Sequence, residues 1–228
     1  TLQSLGLIHH YMGQYVEAEN RFEESLNKAE SSSDLRMQAY ILTSLGDMYR
    51  DMRKYDQALA AYDRAFRCAN KSTLVPMIVY AMCMRGDTLR LKGELDIAHQ
   101  LLLETQDHLI PGEMPFEQGL CDLAMGAYFL EIDRLDEAEN HLHHALDLLQ
   151  ASNSTRDVAR TYLYLAKLSH LRGHDDELLE QIIAISSYIH SLGTNQFIIA
   201  ESVSIIDMLK FCSRKHLGRL DYTDIFDA

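Results

Sequence analysis

Leu45-Gly46-Asp47-Met48-Tyr49, followed by Tyr55, Ala58, Tyr62 and Ala65, is the stretch that decides how this chain is read. Shifted along the sequence by 40 residues, it meets copies of itself. Gly6, Gly46, Gly86 and Gly126 stand at equal spacing with Ala166 in the fifth place, and Ala18, Ala58, Ala98 and Ala138 form a second small series that ends on Leu178. Large residues recur in phase with them: Tyr15, Tyr55, Leu95 and Leu135, then Phe22, Tyr62, Leu102, Leu142 and Ile182. Self-similarity at a fixed period of this length marks a repeat architecture, in which each unit buries its apolar face only against its neighbours. Small residues alternating with large ones place close helix approaches at the small positions.

Breakers recur at the same interval. Ser31 to Asp34, Asn70 to Thr73, Pro111-Gly112, Ser152 to Thr155 and Ser191 to Asn195 are runs of cap and turn residues. A shorter break near Gly13, Arg53, Gly93, Asp133 and Gly173 divides each unit into two antiparallel helices of about four turns. The unit is therefore helix A, tight turn, helix B. The expected organisation is five tandem 40-residue helix pairs over residues 1–190, the first truncated at its N-terminus, then a capping helix over 191–217 and an acidic tail over 218–228. The capping segment carries Phe197, Ile198, Val203, Ile206, Leu209 and Phe211 with no helix B to follow it. The first unit begins inside helix A and without Met, so the chain is expected to be cut from a longer polypeptide.

Composition agrees with an all-α class. Only three prolines and 11 glycines interrupt 228 residues that are 47% hydrophobic. Thirty-four acidic against 21 basic residues give a formal charge of −13, which argues against a nucleic-acid partner for this chain. Cys68, Cys83, Cys121 and Cys212 lie far apart, in no close pair of the zinc or redox type, and read as thiols of a reducing compartment. No apolar run reaches the roughly 20 residues needed to span a bilayer, and no leader pattern opens the chain, so a cytoplasmic location is expected.

The copy around Gly46 resembles the tetratricopeptide signature, at Leu45, Gly46, Tyr49, Tyr55, Ala58, Tyr62 and Ala65. The family's usual repeat has about 34 residues, so these units carry about six more. The resemblance implies a right-handed superhelical solenoid of antiparallel helix pairs, with helix A lining the concave face. Carried over from Gly46, the family's register implies a ligand groove lined by Tyr40, Asp47, Arg50, Tyr80, Asp87, Arg90, Leu120, Leu123, Leu130, Arg160, Lys167 and His170. Two readings of its charges stand side by side. Asp47 with Arg50 and Asp87 with Arg90 are at i,i+3 spacing and suit local surface pairs worth a few tenths of a kcal/mol. Alternatively the arginines form a ladder that grips carboxylates of a ligand in bidentate fashion. Arg50, Arg90, Arg160 and Lys167 balance Asp47, Asp51, Asp87 and Glu131, so the groove is expected to be positive relative to an acidic body. Leu120, Leu123, Ala127 and Leu130 make an apolar stripe that is either buried or a pocket for an apolar side chain.

Chemistry is not written into the chain. His141, His143 and His144 invite a metal hypothesis, but no acidic or cysteine partner stands at a recognised ligand spacing, and a solvated helix surface is the expectation. No phosphate loop, His-Glu-x-x-His or nucleophile elbow is present; no catalytic residue, metal or cofactor is expected. The texture of the late repeats, Asp157 to Ala166 above all, resembles the sensor regions of MalT-like bacterial transcription activators. That resemblance implies a regulatory region receiving a protein, an acidic peptide or a small inducer. Polarity adaptors of the LGN and Pins type are similar as well, and imply a scaffold that holds an extended peptide.

Overall fold

Ten positions with positive φ set the spacing of the helices. Gly13, Ser33, Arg53, Thr73, Gly93, Gly112, Asp133, Asn153, Gly173 and Gly193 all occupy the left-handed region, close to one every twenty residues. At all of these but Gly112 and Gly193, the turn closes the helix before it by the same device. At Arg53, for example, the Lys54 N–H reaches back to the Tyr49 carbonyl (2.8 Å) and the Arg53 N–H to the Arg50 carbonyl (2.9 Å). This six-to-one closure satisfies carbonyls that a helix end leaves open and turns the chain back on itself. The sequence break positions thus become helix ends.

The structure is a computed structural model that describes residues 1–215, and these contain eleven α-helices and no strand. The helices are α1 (Leu2–Tyr11), α2 (Tyr15–Ser31), α3 (Leu35–Asp51), α4 (Tyr55–Lys71), α5 (Val75–Lys92), α6 (Leu95–Gln106), α7 (Pro115–Glu131), α8 (Leu135–Ala151), α9 (Thr155–Arg172), α10 (Asp175–Leu192) and α11 (Gln196–Lys215). Odd numbers up to α9 are A helices and even numbers B helices. The end of the expected capping segment and the acidic run 218–228 lie outside the described residues.

Two compact units divide the chain, Thr1–Glu117 and a second that begins at Gln118. In the first, α1 packs on α2, α3 on α4 and α5 on α6, while α2 also meets α3 and α4 meets α5. Each of α2 and α4 is therefore shared by two A helices. In the second, α8 meets α9, and α9 packs against both α10 and α11.

The two sequence series turn out to be partners across each pair, sixteen residues apart. A Cβ added to Gly6 would lie 2.6 Å from the Phe22 ring, one on Gly46 2.4 Å from Tyr62, and ones on Gly86 and Gly126 2.7 Å from Leu102 and Leu142. These large residues are fully buried. A second close approach escaped the sequence reading: Gly119 faces Leu149 at 2.9 Å in the same sense, and Ala39 and Ala159 stand 80 and 40 residues from it, both buried. Along α7 every residue from Gly119 to Leu130 is buried, so the apolar stripe of Leu120, Leu123, Ala127 and Leu130 takes the first of its two readings.

Candidate interaction face

The A helices carry most of the buried charge. In the first unit a polar chain crosses three of them. His10 on α1 sets Nε2 2.8 Å from an Asp51 carboxylate oxygen on α3. Arg50, beside it, donates to Asp51 at 3.3 Å and to Asp87 on α5 at 2.8 Å. Arg90, one turn along α5, donates to the other oxygen of Asp87 through Nε (3.0 Å) and a terminal nitrogen (2.8 Å). Arg50 is 2% exposed and Arg90 3%. The second unit has a shorter version, in which Arg160 on α9 donates to Glu201 on α11 and to Asp157, and Tyr164 donates to the same Glu201 (2.6 Å).

This corrects the expected arginine ladder. Arg50, Arg90 and Arg160 are not presented to an open groove; Arg50 and Arg90 are engaged in the seam between successive A helices and Arg160 in that between α9 and α11, each with a carboxylate of its own chain. The reason is geometric. Helix A of one repeat stands beside helix A of the next, so a side chain long enough to leave its own helix meets the Asp three residues before the equivalent position. Asp87 with Arg90 forms the local pair that the spacing suggested, whereas Arg50 reaches across to the next repeat. A relatively positive face does not survive this pairing.

Asp47 is placed differently. It stays partly exposed and accepts from the Tyr62 hydroxyl (2.6 Å) on α4 and the Tyr80 hydroxyl (2.7 Å) on α5. Burial pushes its carboxyl above the ordinary Asp value, a push that the two hydroxyl hydrogen bonds and the nearby Arg50 and His10 only oppose. Tyr62 is raised well above the usual tyrosine value, by burial first and by the Asp47 charge second.

Around Asp47 lies what remains open on these helices. Tyr40, two turns before it on α3, is 42% exposed, and Met37 is exposed one turn further back. Met77 and Tyr80 on α5 are partly exposed, Thr43 donates toward the Met77 sulfur (3.8 Å), and the Tyr80 ring stacks on Phe116 at 6.3 Å between centroids. The first unit thus offers a ledge of aromatic and thioether side chains beside one carboxylate. Of the expected groove residues, Tyr40, Asp47 and Tyr80 belong to it, and Asp87, Arg50 and Arg90 support it from beneath. Met37, Met77 and Phe116 were missed because no residue type or motif sets them apart in the sequence; only the stacking of three helix starts does.

In the second unit Leu120, Leu123 and Leu130 are buried. Lys167 donates to Glu131 (3.1 Å), and the His170 ring lies 4.7 Å from that of Phe211. On α8 His143 and His144 stay exposed, as a solvated helix surface implies, but an acidic partner that the spacing did not show is present for two of the three histidines. The Nδ1 atoms of His141 and His144 each lie 2.7 Å from an oxygen of Asp122, a nearly buried carboxylate on α7. Asp122 is about nineteen residues away in sequence, a separation that local spacing does not reveal. Among the described residues no group of three or more His, Cys, Asp or Glu could hold a metal ion, and no helix is long and apolar enough to cross a membrane.

Residues 1–71 match the model of the tetratricopeptide repeat family. No curated protein matches the chain in sequence. Solved structures with similar folds include the Rap protein complexed with competence and sporulation factor, at 13% identity and a TM-score of 0.73 over 99% of this chain and 66% of that one. Aspartyl phosphate phosphatase F from Bacillus subtilis is similar at 14% identity and a TM-score of 0.64, over 99% of this chain and 61% of that one. The apo form of RapI follows at 13% identity and a TM-score of 0.62, over 94% and 82%. The chain spans less than two thirds of the length of the first two. At these identities the likeness fixes the fold, an all-α solenoid of tetratricopeptide type.

Proposed function

We propose that this chain is a non-catalytic binding module that takes a protein or peptide partner on the A-helix face of its first unit. The observation that carries the reading is the ledge of Met37, Tyr40, Met77, Tyr80 and Phe116. It is the accessible part of a face on which Arg50, Asp51, Asp87 and Arg90 are buried in ion pairs. Tyrosine contributes large contact area at low ordering cost, methionine adapts its shape to a partner, and both recur at the cores of binding surfaces. Tyr80 is held by its hydrogen bond to Asp47 and its stacking on Phe116, which lowers what a partner must order there. The similarity to a Rap protein bound to competence and sporulation factor supports a module that receives a regulatory partner. We extend the proposal to the sensor region of a larger bacterial transcriptional regulator, cytoplasmic in location, on the resemblance of Asp157 to Ala166 to MalT-like activators.

Selection of linear peptides displayed on phage against the chain tests the binding face. Enriched peptides are expected to lose about tenfold or more in affinity on Tyr40→Ala, the effect of truncating an interface anchor. They should be indifferent to His143→Ala on α8. Failure to enrich any peptide, or equal loss on both variants, contradicts the proposal.

A further inference from the structure

We propose that Asp47, framed by Tyr40 and Tyr80, is a subsite for a cationic side chain, and that the partner is accordingly an extended basic peptide that docks through a lysine or arginine. The inference rests on the binding face proposed above and reverses the charge that the sequence suggested for the partner.

On the A helices of the first unit, the guanidinium groups of Arg50 and Arg90 share the carboxylates of Asp51 and Asp87, all four side chains being almost wholly buried. Asp47 is left outside this exchange. Among the described residues its hydrogen-bond donors are two tyrosine hydroxyls, and Arg50 and His10 act on it only through space. A neutral hydroxyl compensates a desolvated carboxylate less well than a charged donor does. The upward push of burial on the Asp47 carboxyl is the sign that this compensation is incomplete. An ammonium or guanidinium group arriving from outside supplies what is missing.

The surroundings suit a cation in two further ways. Tyr40 and Tyr80 stand on the same exposed side as Asp47, and tyrosine rings attract lysine and arginine through their faces. Met37, Met77 and Phe116 accept the apolar stem of such a side chain and the residues flanking it. At longer range the formal charge of −13 draws positive partners toward the molecule and repels acidic ones. Charge complementarity therefore selects a basic peptide over the acidic one that an exposed arginine ladder would have taken.

The experiment uses the whole chain and four acetylated, fluorescently labelled hexapeptides with identical apolar and aromatic flanks, differing in one central residue: arginine, lysine, glutamine or glutamate. Fluorescence anisotropy on the wild-type protein is expected to show the arginine and lysine members binding about tenfold or more tighter than the other two, with the advantage fading as salt is raised. Asp47→Asn, which still accepts from a tyrosine hydroxyl, is expected to erase the advantage. Equal binding of all four peptides, or a preference for glutamate, overturns the inference, as does a cation preference that persists in Asp47→Asn. If all four bind equally and Tyr40→Ala weakens them together, the binding face stands and its charge preference falls. If none binds, both fall. Should Asp47→Asn fail to fold, the series on the wild-type protein still decides, since the cation preference is read there.

Discussion

At the scale of single residues, the repeat is held by contacts that admit one atom less than most side chains bring. Gly46 is the tightest, and its partner cannot step aside: Tyr62 is fully buried, and its hydroxyl is tied to Asp47. Gly46→Leu is therefore expected to cost about 1–3 kcal/mol through overpacking, measured as a shift in the urea midpoint at unchanged slope. A variant as stable as the wild type would mean that α3 and α4 do not meet at this glycine. Both members of the contact were legible in the sequence as series at the same period. Their pairing was not, because a period tells that positions are equivalent and leaves open which of them touch.

Between elements, two kinds of contact behave differently. Apolar ones follow the period, and the helices that they define were readable from breakers such as Arg53 and Asp133 and from the small residues between them. Polar ones depend on where a long side chain ends, which a linear pattern does not record. His141 and His144 show this: their spacing on α8 places them on one face, while the carboxylate that gathers them comes from α7. Asp122→Ala is expected to cost about 1–3 kcal/mol, since two imidazole nitrogens lose their acceptor together. His141→Ala should cost less after Asp122→Ala than in the wild type, because the pair acts as a unit. Equilibrium denaturation of the two single variants and the double variant checks this, and strict additivity would refute the shared contact.

For the molecule as a whole, the question is what the buried arginines are for. The sequence placed Arg50, Arg90 and Arg160 on A helices; it suggested the local pair that Arg90 makes with Asp87 of its own helix, and it did not show that Arg50 and Arg160 meet acids from the next A helix and from α11. Tyr40, Asp47 and Tyr80, expected on the same face, are among the side chains that stay accessible on it. The charged residues fasten successive repeats together, and in the function proposed above the partner is taken by the side chains that this fastening leaves exposed. The most direct test of this division of roles is a double-mutant cycle on Arg50 and Asp87 followed by denaturant unfolding. Arg50→Ala is expected to cost about 3–5 kcal/mol, as breaking a buried ion pair does, and the two substitutions together should cost less than their sum by about 1 kcal/mol or more. A small loss for Arg50→Ala with additive effects would contradict it, and would return the arginines to an open surface.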